Sequence, residues 1–366
     1  MKFEQHIPAE IKLILSACFH LEVSSIPTEM NSPLLKSLLR YHGVRPQFFD
    51  FLHKNGLEVS FQPNLVQECQ QIALFNMLSV NELAKINSLL TSNGVHCFAY
   101  KGSLWAYWLY ENVGGREFGD IDILVKKSSI QAALSSLETA GYIPDAYRKF
   151  LLEEPVRASG FYRTDYHIPL ENTTNALSSM VELHWQVAYP RLQFNFPEEE
   201  WDRYGKTHVI NGNDLHGFVN EYQFLMMVVH HGGKEEWSRI KYIADFAAYM
   251  IRYGKETNWT IVSKIAKEKG IYTLLEKSLA LLKSLGLPWE DQWPVSTKVV
   301  DVSAYISMWI GMPPQAENST WPYFVNGLAI HDGIQHKSKV LFAHLAYLLE
   351  WRLLQDKKRW YDENPA

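Results

Sequence analysis

Two aspartates separated by one residue are the side chains in this sequence best suited to binding a metal ion. They begin the segment Asp120-Ile121-Asp122, which continues into the aliphatic residues 123–125. Because successive side chains of a strand point to opposite faces, Asp120 and Asp122 would share one face. Mg²⁺ prefers carboxylates together with substrate phosphates. We therefore predict a metal site that a nucleoside triphosphate completes, against the alternative of a solvated turn at a strand start.

A glycine-serine turn upstream of the aspartates is suited to binding phosphate. In Tyr100-Lys101-Gly102-Ser103 a strand is expected to end, the glycine allows close approach to the backbone, and the serine opens the next helix. Such a turn presents N–H groups and a hydroxyl. Helices also begin with Gly-Ser where nothing binds, so the position of the turn before the aspartates carries the argument.

A third carboxylate is available in a second alternating segment, residues 181–185. The alternation places Glu182 and His184 on one face of a strand and the three apolar residues on the other. Glu182 can therefore join the metal site, although a glutamate on a half-exposed strand is otherwise simply solvated.

The apolar spacing around these motifs predicts a small sheet between two helical regions. Residues 8–94 and the chain from residue 220 onward have apolar side chains at helical spacing. Between them, strands are expected at 96–100, 120–125, 161–170 and 179–187, and helices at 104–110 and from 130 to Gly141. We predict an α+β fold in which a small mixed β-sheet core (95–215) is flanked by an N-terminal helical lobe (1–94) and a C-terminal helical lobe (216–366).

The C-terminal lobe contains charged and aromatic residues whose role the sequence leaves open. Lys241 and Asp245 are one helical turn apart, which predicts a surface ion pair. His230 and His231 are adjacent, so at most one is expected to face a given site, and a structural helix-end role is favoured. Trp237 is either a core residue or a platform for a base. Residues 313–332 are expected to form a long connection and residues 337–361 one long helix.

The composition describes a globular protein without a nucleic-acid-binding charge. The chain has 366 residues, 47% hydrophobic and 20% charged, and a formal net charge of −5. Such a balance gives no overall attraction to nucleic acid or to an anionic membrane. The three cysteines match no disulfide or zinc pattern, and no signal segment or membrane span is evident, so a cytoplasmic protein is expected.

Taken together, the motifs resemble the uncharacterised nucleotidyltransferase family of the DNA polymerase β-like superfamily. The resemblance covers the middle of the chain and leaves the N-terminal lobe unassigned. It rests on Lys101-Gly102-Ser103, Arg116, the strand 120–125, Ala140-Gly141-Tyr142 and Glu182-Leu183-His184-Trp185, and extends weakly to His230, Trp237, Arg239 and Asp245.

The resemblance implies transfer of a nucleoside monophosphate from a triphosphate to an acceptor hydroxyl or phosphate, with release of pyrophosphate. It assigns catalysis and metal binding to Asp120, Asp122 and Glu182, with Asp165 or Glu171 as alternatives to Glu182. Two Mg²⁺ ions are expected, with Mn²⁺ as an alternative ion.

The resemblance also implies where the nucleotide binds. Gly102 and Ser103 match the triphosphate turn, although the segment between Ser103 and Asp120 is longer than is usual in the superfamily. Lys101 and Arg116 are candidates for phosphate contacts, because an arginine can bind two oxygens at once. Arg116 could equally be a loop residue paired with Glu117 or Asp120.

The acceptor, the base of the triphosphate and the oligomeric state are left open by the sequence. A small molecule, glycan or peptide fits the acidic chain better than RNA, and family members often accompany biosynthetic gene clusters. The alternatives are a toxin-like nucleotidyltransferase acting on RNA or protein, and a catalytically silent nucleotide-binding module.

Overall fold

The N-terminal region is helical, as the sequence predicts. The computed structural model describes residues 7–172, 180–294, 298, 300–313 and 320–364. Gly43 and Gly56 follow the second and third helices with left-handed backbone angles (φ 64° and 62°), the conformation that glycine adopts at helix ends. The four helices are α1 (Ala9–Cys18), α2 (Ser32–His42), α3 (Arg45–Asn55) and α4 (Gln62–Ser92).

A mixed sheet of five strands follows, which confirms the predicted α+β fold. The elements are β1 (Cys97–Ala99), α5 (Gly102–Tyr110), β2 (Ile121–Val125), α6 (Ile130–Thr139), β3 (Ile143–Pro144), α7 (Ala146–Glu153), α8 (Pro155–Thr164), β4 (His167–Glu171) and β5 (Met180–His184). The strand order is β1-β2-β5-β4-β3; β2 and β5 are parallel, and the other neighbours are antiparallel.

The strand predicted at 161–170 is wrong in its first half, because residues 161–164 complete α8. This helix starts at Pro155, whose fixed φ suits a first helical turn. The Glu154 carboxylate accepts hydrogen bonds from the N–H groups of Val156 and Arg157 and so caps the helix. The strand predicted at 179–187 corresponds to β5, with Ser179 outside the described residues.

A two-stranded hairpin beside β1 connects the sheet to the C-terminal helices. After the short helix α9 (Trp201–Tyr204), β6 (Gly205–Ile210) and β7 (Asn213–Phe218) pair antiparallel. The intervening Asn211 and Gly212 both have positive φ (50° and 78°), the requirement of a two-residue hairpin turn. The Asn-Gly pair was the sequence signal for this hairpin, which our strand predictions omit.

The C-terminal region is helical, with two departures from the sequence prediction. A helix occupies residues 320–330 of the predicted connection, and the final helix is two helices divided at Glu350, whose carboxylate binds Arg163 of α8. Within the described parts of the chain, no helix is long and apolar enough to cross a membrane. The helices are α10 (Asn220–Val228), α11 (Ile240–Tyr253), α12 (Trp259–Glu268), α13 (Tyr272–Ser284), α14 (Ser303–Gly311), α15 (Thr320–Ile330), α16 (Gly333–Leu349) and α17 (Trp351–Glu363), with a single π-helical turn (Val229–Lys234) after α10.

Candidate functional site

Two of the predicted carboxylates lie side by side on neighbouring strands. Asp122 of β2 and Glu182 of β5 are directly paired in the parallel register, so their side chains leave the same face of the sheet. With His184 they form a group whose ligand atoms all lie within 4.8 Å of one another. The alternatives to Glu182 lie elsewhere: Asp165 contacts Lys357 at 3.4 Å, and Glu171 is exposed at the end of β4.

Two side chains with nitrogen donors contact this carboxylate pair. Lys101 Nζ lies 2.7 Å from Asp122 Oδ1, and both residues are buried. His184 Nε2 lies 2.9 Å from the same oxygen and 3.1 Å from Glu182 Oε2, so this nitrogen bridges the two acids when it carries the proton. These contacts reduce the repulsion between the buried Asp122 and the half-buried Glu182.

The carboxyl groups of the pair are held in the ionised form. Burial alone would raise the pKa of Asp122, but Lys101 and His184 outweigh burial and hold it below its ordinary value. The pKa of Glu182 is likewise lowered despite burial, by His184 and Lys101. Ionised carboxylates are the form that binds a cation.

Asp120 stands apart from the group and titrates differently. It precedes β2, is half-buried, and lies outside the set of ligand atoms within 4.8 Å. Burial, with the negative charges of Asp122 and Glu182, raises the pKa of Asp120 to about 6. This carboxyl group can therefore take up a proton near neutral pH.

The glycine-serine turn is packed against the aspartates. A Cβ atom on Gly102 would lie 3.3 Å from the Asp120 carbonyl oxygen and 3.7 Å from Asp122 Oδ2, so the missing side chain leaves this carboxylate oxygen uncovered. Lys101 has φ 53° and ψ −137°, a strained conformation for a residue with a side chain. Such strain is concentrated at functional sites.

Ser103 contributes a buried hydroxyl that no protein group satisfies. Its Oγ accepts and donates no hydrogen bond among the described residues, although the side chain is only 4% exposed. A buried polar group without a protein partner calls for an explanation, and a bound water, ion or phosphate beside the turn would supply one. The donor set of Asp122, Glu182 and His184 fits a divalent cation, and the Ser103 hydroxyl lies in the adjoining turn.

Arg116 is engaged by a residue that the sequence analysis assigned elsewhere. Its Nε lies 2.9 and 3.1 Å from the two carboxylate oxygens of Asp245, and neither Glu117 nor Asp120 is its partner. The predicted surface pair of Lys241 and Asp245 is therefore wrong: Asp245 is fully buried. Helical spacing alone does not reveal that α11 is buried around most of its circumference.

The same carboxylate joins a buried hydrogen-bond network. Asp245 accepts a hydrogen bond from the Tyr110 hydroxyl at 3.0 Å and contacts His231 Nε2 at 3.0 Å. His231 Nδ1 lies 3.0 Å from His230 Nδ1, and both histidines lie in the buried π-helical turn. Trp237 is a core residue that stacks on Phe246 at 5.4 Å.

Two histidines near the carboxylates had no role in the sequence analysis. The alternation of residues 181–185 places His184 on the same face as Glu182, so the sequence could have indicated His184 as a neighbour of the metal site. His167 of β4 lies opposite His184, stacks on it at 5.1 Å, and has its Nε2 3.6 Å from Glu182 Oε1. Burial lowers the pKa of His167 to about 3, so this ring is neutral. The alternation of side chains along β4 could have indicated that His167 faces the site, if the start of this strand had been predicted correctly.

Comparison with known proteins establishes the family. A crystal structure of an antigenic nucleotidyltransferase-like protein from Paracoccidioides brasiliensis matches with 12% identity over 52% of this chain and 87% of that chain, with a TM-score of 0.28. No curated protein matches. The model of the family described as uncharacterised nucleotidyltransferase matches residues 28–286, which includes most of the N-terminal lobe that the motifs left unassigned. Since this match spans well over half of the chain, the protein belongs to the uncharacterised nucleotidyltransferase family and is a transferase by class.

Proposed function

We propose that the protein is a Mg²⁺-dependent nucleotidyltransferase that moves a nucleoside monophosphate from a triphosphate to an acceptor hydroxyl or phosphate. One observation carries the proposal: Asp122 and Glu182 lie in register beside a glycine-serine turn with an orphaned hydroxyl. Family membership supports the same chemistry. In the proposed division of the chain, the core region (95–215) supplies this site, and helical lobes (1–94 and 216–366) flank it.

In the proposed reaction, an acceptor oxygen bonds to the α-phosphorus as the bond from this phosphorus to the α,β-bridging oxygen breaks. Pyrophosphate leaves, and a hydroxyl acceptor gives up its proton to solvent. Asp120, Asp122 and Glu182 would hold the ions, with Mg²⁺ or Mn²⁺ supplying positive charge to the phosphate oxygens. Lys101, Ser103 and the N–H groups around Gly102 would bind the triphosphate. Arg116 would contribute its Nη groups while Asp245 fixes its Nε.

For the acceptor, we favour an uncharged or weakly charged molecule such as a glycan, a peptide or a small metabolite. The net charge of −5 opposes RNA binding because phosphate contacts dominate that affinity. A cytoplasmic enzyme of a biosynthetic gene cluster would have such a substrate. The toxin-like and the catalytically silent alternatives make different predictions in the experiment below.

Calorimetric titration of the four ribonucleoside triphosphates with Mg²⁺ tests the proposal, followed by measurement of pyrophosphate release. We expect one triphosphate to bind in a Mg²⁺-dependent manner, and the Asp120→Asn, Asp122→Asn double variant to lose this binding. Binding that does not require the metal, without pyrophosphate release for any acceptor, would favour the silent module. Transfer to RNA alone would favour the toxin-like alternative.

Replacing Ser103 with alanine should separate nucleotide binding from stability. Because the hydroxyl has no protein partner, its removal should leave the free energy of unfolding unchanged or slightly increased. Loss of a phosphate hydrogen bond should weaken triphosphate binding about tenfold. Calorimetry and urea unfolding measure the two quantities.

The matched control for Ser103→Ala is Ser136→Ala. Ser136 is similarly buried, but its hydroxyl donates to the Ala132 carbonyl at 2.8 Å within α6. This variant should lose stability slightly and keep its triphosphate affinity. Equal affinity losses in both variants would contradict a phosphate role for Ser103.

Metal binding should weaken on acidification below about pH 6. The raised pKa of Asp120 means that a proton competes with the cation as the pH falls through this value, by up to about tenfold in affinity per pH unit. Isothermal titration with Mn²⁺ from pH 5 to 8 measures the effect. Asp120→Asn should bind more weakly at pH 7.5 and show a flatter profile between pH 7 and 5; an unchanged profile would exclude Asp120 as the titrating ligand.

A further inference from the structure

Helix α16 exposes a stripe of apolar side chains to solvent. Six large apolar residues of this helix each expose between 42% and 87% of their surface. Because successive helical residues are rotated by about 100°, these six positions fall within an arc of roughly 120° around the helix axis. They therefore form one stripe along the helix. The α16 stripe consists of Ile334, Leu341, Phe342, Leu345, Leu348 and Leu349.

The rest of the protein packs against a different side of α16. Val340 and His344 are buried, and both face α15. A Cβ atom on Gly327 of α15 would come within 2.9 Å of Val340 Cγ1, and the His344 ring lies 5.1 Å from the ring of Phe324. A surface helix normally turns an apolar stripe of this width toward the core. In α16 the stripe faces solvent, so the contacts within the chain leave it uncovered.

The exposed apolar area is large enough for a stable protein interface. A large apolar residue has a surface on the order of 200 Å², so the six residues of the stripe together expose roughly 750 Å². The largest apolar patch on a monomer is typically about 300–600 Å², whereas each partner of a standard interface contributes about 800 Å². Trp321 and Val325 of the neighbouring α15 are 70% and 49% exposed and add to the apolar surface of this helix pair. The stripe therefore matches one half of a stable interface.

The composition of the stripe favours a second copy of this chain over a different protein. The segment from Val340 to Leu349 contains no aspartate, glutamate, lysine or arginine. Interfaces of transient complexes are about as polar as the rest of a protein surface, whereas homodimer interfaces are more apolar and their centres are depleted in charge. Two uncharged stripes can also meet without placing like charges opposite each other. The α16 stripe is therefore complementary to itself.

The charges of the helix and of the chain argue against a membrane as the occupant. Helices that lie in a bilayer surface carry lysine and arginine along their polar face. The lysines of α16, Lys337 and Lys339, are confined to its first two turns, and the side that holds Val340 and His344 is buried against α15. The net charge of −5 also opposes adsorption to an anionic bilayer.

We propose that the α16 stripe is the interface of a homodimer, in which the stripe of one protomer packs against the same stripe of a second copy about a twofold axis. Such a contact is closed, because each protomer uses its stripe once. Leu345 lies at the centre of the arc and is buried in the dimer. The inference is independent of nucleotidyl transfer, since α16 contributes no residue to the candidate site described above.

Sedimentation equilibrium of the full chain tests the dimer. We expect a species of twice the chain mass, with a Kd on the order of 1 µM or tighter, the range of standard-size interfaces. Leu345→Glu should weaken the association at least about hundredfold, because the dimer would then bury two carboxylates without partners. Leu345 is 48% exposed within the protomer, so the variant should fold, and its circular dichroism spectrum should match that of the natural protein.

Two further variants are the matched controls. Leu345→Met keeps the position apolar and should dimerise as the natural protein does. Ile261→Glu places the same charge at an exposed apolar position of α12 and should also leave the Kd unchanged.

Several outcomes would overturn the proposal: a natural protein that stays monomeric up to about 50 µM, a mass that keeps rising beyond the dimer, or an equal Kd for Leu345→Glu and Ile261→Glu. Flotation of a monomeric natural protein with phosphatidylcholine vesicles would assign the stripe to a membrane instead.

Discussion

Asp122→Asn is expected to lower the rate of nucleotidyl transfer by about a thousandfold or more. The substitution keeps the size of the side chain and removes the negative charge that would bind the metal. A loss of roughly 4 kcal/mol of transition-state stabilisation corresponds to this factor. Pyrophosphate release, measured with the triphosphate that binds and an identified acceptor, gives the rate; an undiminished rate would contradict the metal-site assignment.

The same substitution should also destabilise the protein, and the two effects need to be separated. Lys101 is buried with its ammonium 2.7 Å from Asp122, and asparagine would remove the carboxylate that pairs directly with this charge. Removing one partner of a buried ion pair costs about 3–5 kcal/mol. The double variant Lys101→Met, Asp122→Asn should recover most of the free energy of unfolding in urea and remain inactive, which would show that activity is not lost through unfolding.

A second carboxylate on the same sheet provides the control for charge removal. Glu171 of β4 is exposed and lies outside the metal-capable group, so Glu171→Gln should retain activity. Glu182→Gln should lose activity as Asp122→Asn does, because Glu182 is paired directly with Asp122 in the sheet. The reverse outcome would transfer the role of third acid to Glu171.

The features of the site that the sequence predicted are local ones. Alternation within residues 120–125 and 181–185 is a property of single strands, and it was sufficient to identify Asp122, Glu182 and the face of His184. The pairing of β2 with β5 is non-local. No pattern in either strand specifies its neighbour or register, so the direct alignment of Asp122 with Glu182 required the structure.

The buried network around Asp245 could not be predicted for the same physical reason. Arg116 and Asp245 are 129 residues apart, whereas Lys241 is a helical neighbour of Asp245 at the spacing typical of surface pairs. Burial of α11 removes Asp245 from solvent, and the buried guanidinium of Arg116 then becomes its partner. The helical spacing favours Lys241 as the partner of Asp245, whereas tertiary packing makes Arg116 the partner.

Asp245→Asn is expected to lower the free energy of unfolding by about 3–5 kcal/mol. The carboxylate is fully buried, and its removal leaves the buried Arg116 without a counter-charge while weakening the contact with His231. Urea unfolding measures the loss. As a control, Glu268→Gln removes one partner of the exposed pair with Lys264 and should leave the unfolding curve unchanged.

The double variant Arg116→Met, Asp245→Asn decides whether Arg116 serves the nucleotide as well as the fold. Removing both charges should recover most of the stability, because a buried ion pair contributes little beyond a packed apolar pair. In this structure the hydrogen bonds of Arg116 to Asp245 leave from Nε, and the Nη groups remain as donors for phosphate oxygens. We therefore expect triphosphate affinity in the double variant to stay at least about tenfold below that of the natural protein. Full recovery of affinity together with stability would restrict Arg116 to the buried network and leave Lys101 and Ser103 as the phosphate contacts of the site.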